Sequence, residues 1–296
     1  MPPTTFSLGQ LASLACLWEA MASKPGNVHR AADFDDVTFV DFATSALVIQ
    51  PAFDRAAGKA RLGQIVFEAV SATRQAVGTN TNLGTVLLLA PLAMAAEANA
   101  ESIAQVLHAL DDEDARLVYE AIRLAQPGGM GRVDEADVAG PPPADLLAAM
   151  RLAADRDLVA RQYANHFSEV LEAAVPAIGE ALAQSWPLGE AIVYAQLRLM
   201  SEFPDSLIAR KCGAAVARQS AALAAAALAA GGPGDEAYRR AVADFDFWLR
   251  ADGHRRNPGT TADLIAAGLF ASLRQGSITL PVRFYAADDL SGTSLA

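Results

Sequence analysis

The chain has 296 residues, 52% apolar and 19% charged, which marks a globular protein and excludes a disordered one. Its 23 basic against 34 acidic side chains leave a formal charge of −11, without the basic face that nucleic acid needs. No run approaches the roughly 18 apolar residues of a membrane span, and Cys16 and Cys212 make neither a disulfide framework nor a zinc signature. With no signal-like start, the expected setting is a reducing cytoplasm, with no membrane and no nucleic acid as partner.

Helical periodicity runs through nearly the whole chain. Ser7 caps a first helix on which Leu8, Leu11, Leu14 or Ala15, and Trp18 recur, and Lys24-Pro25-Gly26 ends it. Thr38 or Asp36 starts a second, with Phe39, Phe42, Ala46 and Ile49 on one face. A third covers 62–77, a fourth runs from 83 to about 96, and two shorter ones cover 101–110 and 112–125. Residues 126–143, rich in Gly and Pro, break the pattern, and a loop of that length is often functional. Helix resumes over 144–184 with a break near 155–157, then over 188–200, 206–230 and 235–250, and finally from 259 to about 273. Asp155 and Asp157, flanking Arg156, read as a solvated charged turn. The tail 277–285 alternates like a short edge strand. The expected fold is all-α, a single globular domain over residues 1–296 with roughly ten or more helices.

Four helix breaks carry more polar groups than capping requires. The richest is Gly78-Thr79-Asn80-Thr81-Asn82-Leu83-Gly84, set before the apolar run Thr85-Val86-Leu87-Leu88-Leu89-Ala90. Its amides, hydroxyls and free backbone N–H groups suit a phosphate or a sugar. The first loop, Ser23-Lys24-Pro25-Gly26-Asn27, follows Glu19 by one turn; a helix C-cap accounts for Lys24, Pro25 and Gly26 but not for Asn27. The third holds Asp205, Ser206, Arg210 and Lys211, and one of the two adjacent cations should face a pocket or a neighbouring helix. The fourth runs from His254 through Asn257-Pro258-Gly259 to Asp263, a carboxylate in the first turn of an apolar helix, where it can also bind Mg2+. Only three lysines occur, and two of them, Lys24 and Lys211, fall in these loops. No P-loop and no G-x-G-x-x-G turn is present.

Taken together, the loops resemble the triphosphoribosyl-dephospho-CoA synthase family, as a divergent branch. The matching pieces follow the family's order: Glu19 with Lys24-Pro25-Gly26, Asp36 ahead of Phe39 and Ser45-Ala46, Asn80-Thr81-x-x-Gly84, Asp205-Ser206 with Lys211 and Gly213, and Pro258-Gly259-x-x-Ala262-Asp263-Leu264. Phe34 stands where the family commonly has a histidine, and Leu83 where it has a lysine. The resemblance implies an all-α enzyme that joins the ribose C1 of ATP to a ribose hydroxyl of dephospho-CoA or a related acceptor and releases adenine. It further implies Mg2+ with the triphosphate. Glu19 or Asp36 would be the base, and Asp36, Asp205 and Asp263 the metal ligands. Lys24, Arg210 and Lys211 would contact phosphate, with Asn27, Asn80, Thr81, Asn82, Gly84 and Ser206 completing the substrate surface. Carboxylates suit this chemistry, because substitution at an anomeric carbon passes through an oxocarbenium-like state.

Two other readings compete. Pro258-Gly259-Thr260-Thr261-Ala262-Asp263 loosely resembles the last metal motif of ADP-ribosylglycohydrolases, which would make the protein a Mg-dependent N-glycosidic hydrolase. A non-catalytic nucleotide-binding helical protein would need the loops only as caps. Apolar helix faces and low charge density are also compatible with a homodimer.

Overall fold

The computed structural model describes residues 6–58, 60–127 and 140–286. In chain order its helices are α1 (Leu8–Met21), α2 (Phe39–Val48), α3 (Gln50–Asp54), α4 (Leu62–Val77), α5 (Leu83–Met94), α6 (Ala100–His108), α7 (Asp112–Ala125), α8 (Leu146–Ala153), α9 (Leu158–Ala164), α10 (Val175–Ala183), α11 (Leu188–Glu202), α12 (Ser206–Cys212), α13 (Ala214–Ala229), α14 (Glu236–Arg250) and α15 (Gly259–Gln275). A 3₁₀ turn (Arg55–Ala57) follows α3, a π-helical stretch (Glu169–Ala174) leads into α10, and a short extended segment, β1 (Ala251–His254), follows α14. No sheet forms among the described residues, and the domain is all-α as expected. No helix among them is long and apolar enough to cross a membrane.

Local signals fix most helix starts. Ser7 forms a capping box with Gln10 at α1, and Thr38 forms one with Asp41 at α2, so Thr38 rather than Asp36 begins that helix. Asp111 accepts from Glu113 N and Asp114 N at α7. Three expectations need correction. The stretch 206–230 is two helices, because Gly213 at φ 93° takes a backbone conformation that side chains disfavour and so separates α12 from α13. The stretch 144–184 breaks a second time at His166 and Phe167, which have φ of 58° and 68°. There Phe167 N donates to the Gln162 carbonyl, and Gln162 Oε1 accepts from Val170 N, which steadies the turn into the π-helical stretch. The tail is not a strand. The carbonyls of Arg283 and Phe284 accept from Leu188 N and Gly189 N, at 2.8 and 3.0 Å, and so satisfy first-turn donors of α11 that Pro187 cannot cap. Residues 128–139 of the expected long loop lie outside the described residues.

The core follows from two helices that are apolar nearly all round, α5 and α15, which pack on each other and on α1. Pro91 inside α5 cannot donate to the Leu87 carbonyl, and the buried Tyr163 hydroxyl donates there instead, at 2.7 Å. Without that hydroxyl a buried carbonyl would go unmet, at a cost of about 1–3 kcal/mol. Arg274 of α15 donates to the carbonyls of Leu92 and Ala95, closing the C-terminal end of α5. A second apolar cluster joins α11, α12, α13 and α14 through Leu197, Met200, Ile208, Ala224, Phe245 and Leu249. The four polar loops picked out from the sequence fall at one end of the α1–α5–α15 core, where α1 ends and α5 and α15 begin.

Candidate functional site

That end of the core is hollow. A cavity of about 910 Å³ is lined by the C-terminal parts of α1 and α7, the 27–37 loop, α2, the 79–84 loop, α8, α12, and the starts of α5, α9 and α15. A volume of this size suits a nucleotide-sized ligand or larger. All four polar loops read from the sequence contribute to its wall.

The Asn80-Thr81-Asn82 loop is held by its own side chains. Asn80 Oδ1 accepts from Leu83 N at 3.1 Å and caps α5. Thr81 Oγ1 shares a hydrogen bond of 2.6 Å with Ser45 Oγ on α2, and Asn82 Nδ2 donates to Thr73 Oγ1 on α4 at 3.1 Å. Three residues on, Thr85 Oγ1 donates to Asp263 Oδ1 at 2.7 Å, which links the start of α5 to the start of α15. Gly84 is required by this contact: a Cβ there would lie 2.1 Å from Asp263 Oδ2. Burial pushes the Asp263 carboxyl up to about 8 against the hydrogen bond from Thr85, and the charges of Glu19, Asp157 and Asp205 add to the push.

Of the residues picked out by sequence, Glu19, Asn27, Asp36, Asn80, Thr81, Asn82, Gly84, Arg210, Lys211 and Asp263 line the cavity. Lys24, Asp205 and Ser206 lie behind it. Lys24 is fully buried, and its ammonium sits 2.8 Å from Glu19 Oε1 and 2.8 Å from the Glu19 carbonyl. Such a pair fixes Glu19 in one place at the cavity edge. Asp205 is 1% exposed and its carboxylate takes four donors: Leu207 N and Ile208 N on Oδ1, Thr261 N and Thr261 Oγ1 on Oδ2. It thereby ties the start of α12 to the start of α15. Ser206 Oγ bridges Leu158 N and Thr260 Oγ1 in the same seam. Both adjacent cations, Arg210 and Lys211, reach the cavity, and Arg210 pairs with Asp157.

The structure adds residues that the sequence reading passed over. Asp157 is not a solvated turn: its Oδ1 caps α9 through Val159 N and Ala160 N, its Oδ2 takes Arg210, and it lines the cavity. The readable signal was an Asp directly before an apolar helical run. At the lip, Phe34 lies against His254 with ring centroids 5.2 Å apart, Arg250 sits over Phe34, and His254 Nδ1 is 3.5 Å from Asp36 Oδ1.

Three His, Cys, Asp or Glu side chains do not converge as a ready-made cation cage among the described residues. Of the three expected metal ligands, Asp205 has its acceptor positions filled, Asp36 stands exposed on the lip, and Asp263 faces the cavity. Mg2+ commonly takes only one or two carboxylates and completes its shell with water and phosphate oxygens. Glu19 and Asp157 are each paired with a cation, so the carboxylate left to hold Mg2+ together with phosphate oxygens and water is Asp263, whose Oδ1 takes Thr85 Oγ1.

The family model for CitG, ATP:dephospho-CoA triphosphoribosyl transferase, matches residues 5–279. No curated protein matches the sequence. Among solved structures, the chain is similar to a candidate triphosphoribosyl-dephospho-CoA synthase from Archaeoglobus fulgidus, with 29% identity and a TM-score of 0.61 over 78% of this chain and 98% of that one. Five motifs in family order, placed around one cavity and matched by a family model over nearly the whole chain, give the assignment: the chain belongs to the ATP:dephospho-CoA triphosphoribosyl transferase family.

Proposed function

We propose that this cavity carries out the family's reaction on ATP and dephospho-CoA, with both substrates bound over the α5 and α15 helix starts. The chain is a transferase of this family. In the reaction the bond from ribose C1 of ATP to adenine breaks and a bond from C1 to an acceptor ribose hydroxyl oxygen forms. The hydroxyl proton leaves the acceptor, and adenine departs with a proton. The observation that carries the reading is the convergence on one cavity of the Glu19 and Asp263 carboxylates, the Arg210 and Lys211 cations and the Asn80–Gly84 loop.

Glu19, fixed by buried Lys24, is placed to take the hydroxyl proton and to face positive charge developing at C1. Lys211 and Arg210 are placed to bind phosphate oxygens, and the amides and hydroxyls of residues 80–82 to bind ribose or phosphate. Asp263, with Asp36 from the lip, would hold Mg2+, which when bound neutralises triphosphate charge. Asp205 and Ser206 act on this scheme through the α12–α15 seam that they fasten. The family assignment favours transfer over the hydrolytic and non-catalytic readings. A reaction that consumes ATP suits a cytoplasmic setting.

The test is adenine release from Mg-ATP by purified protein, followed by chromatography with and without dephospho-CoA. Release that requires dephospho-CoA is the expected result. Release without it would instead indicate hydrolysis, and no release together with no thermal shift by Mg-ATP would end the nucleotide reading.

A further inference from the structure

Asn27 lines the cavity, yet its amide is engaged at both ends inside the protein. Its Oδ1 accepts from Gln196 Nε2 at 3.0 Å, and its Nδ2 donates to Asn257 Oδ1 at 2.7 Å. Gln196, fully buried on α11, also donates from Nε2 to the Pro25 carbonyl at 2.8 Å. A backbone carbonyl only accepts, so that contact fixes which end of Gln196 carries nitrogen. The direction then passes down the chain of amides. Gln196 must show nitrogen to Asn27, Asn27 must show oxygen back and nitrogen onward, and Asn257 must show oxygen to Asn27. The reverse orientation of Gln196 would set oxygen against the Pro25 carbonyl.

The arrangement holds although it leaves Gln196 Oε1 buried with no partner. Native folds rarely keep a buried acceptor unmet without a reason. The free end of the relay is Asn257 Nδ2, for which no described acceptor is present, and Asn257 lines the cavity in company with Lys211 and Arg210.

We propose that Asn257 is a substrate-binding residue whose amide N–H donates to a phosphate oxygen of a bound substrate, and that Gln196 and Asn27 are the positioning residues that aim it. The inference rests on the nucleotide-transfer reading of the cavity. Both substrates carry phosphate, and the experiment separates them.

Binding of Mg-ATP and of dephospho-CoA is measured separately by calorimetry, with turnover measured beside it, for wild type, Asn257→Ala, Asn257→Asp, Asn27→Asp and the Asn27→Asp/Asn257→Ala double variant. Asn257→Ala should weaken one of the two substrates about tenfold with little change in kcat, as lost binding rather than lost chemistry. The weakened substrate is the one whose phosphate Asn257 meets. Asn257→Asp should weaken it further, since a carboxylate repels that oxygen. Asp at position 27 can only accept, so Asn257 would turn its nitrogen inward and its oxygen to the substrate. Asn27→Asp should therefore weaken the same substrate about tenfold or more, and the double variant should be no worse than Asn27→Asp alone. Asn257→Ala with wild-type affinity for both substrates overturns the proposal while leaving the function standing. Additive losses in the double variant overturn the relay. Wild type that binds neither substrate overturns the function and this inference with it. Should Asn27→Asp fail to fold, the two Asn257 variants on their part-exposed loop still decide the binding role.

Discussion

Gly84→Ala is the sharpest probe of the site, because it perturbs Asp263 without touching a charge. An alanine methyl would lie 2.1 Å from Asp263 Oδ2 and 2.6 Å from Cγ. Non-bonded heavy atoms rest about 3.5 Å apart, so the carboxylate must retreat by about 1 Å, which strains or breaks the 2.7 Å bond from Thr85. Two stability effects oppose each other. Alanine in place of glycine favours a helix by about 0.5–1 kcal/mol, while crowding a packed seam costs about 1–3 kcal/mol. The net loss is about 0–2.5 kcal/mol, a shift in Tm of about 4 °C at most for a chain of this size. A catalytic group displaced by about 1 Å can lose about 100-fold in rate. The expected result is thus a nearly normal melting curve with kcat/KM for adenine release down about 100-fold. Gly179→Ala serves as the control: it sits exposed on α10 with nothing within 4 Å of its added methyl, and it should gain about 0.5–1 kcal/mol with unchanged turnover. A Gly84→Ala enzyme with wild-type kcat/KM would refute the role given to Asp263.

Three further outcomes follow from the same geometry. Lys24→Met leaves Glu19 buried without its countercharge and should cost about 3–5 kcal/mol in urea unfolding, with the Glu19→Gln/Lys24→Met pair recovering most of the loss; a single-variant loss below about 1 kcal/mol would contradict the buried pair. Asp205→Ala strips four donors of a buried acceptor and should lower stability by about 3 kcal/mol or more, read by chemical denaturation, with activity falling as α12 and α15 loosen. With its pKa raised to about 8, Asp263 is protonated at pH 7, and cation binding there should release close to one proton, seen as a dependence of binding heat on buffer that fades above about pH 9. The same shift makes stability fall as pH rises from about 4 to about 8, since the unfolded carboxyl ionises first and the folded one later.

What the sequence made legible was local. Helix starts at Ser7, Thr38 and Asp111 are written in residues three apart, and the apolar periods of α4, α5 and α15 need no partner to be recognised. The helix break at Gly213 and the turn at His166 and Phe167 were not, because the polar and apolar pattern continues through both. The tail resembled a strand by alternation, yet its backbone is spent on the start of a helix distant in sequence. The loops of the site were legible as polar excess, but the direction of each side chain was not. Lys24 reads equally as a C-cap, a phosphate contact or half of a buried pair, and only the burial of the end of α1 decides for the pair. Asn257 stood in a recognised loop without a role, because its orientation is set by Gln196, far from it in sequence.

The packing of α1 against α15 has a consequence for biosynthesis. Glu19 and Asp263 line one cavity although most of the described helices lie between them in sequence. α15 therefore joins α1 and α5 only after every helix between α5 and α15 has been made, and until then α1 and α5 wait with apolar faces uncovered. Nascent fragments would carry no half-built site able to cleave ATP, and a chain stalled before α15 should be a client for chaperones rather than a wasteful nucleosidase.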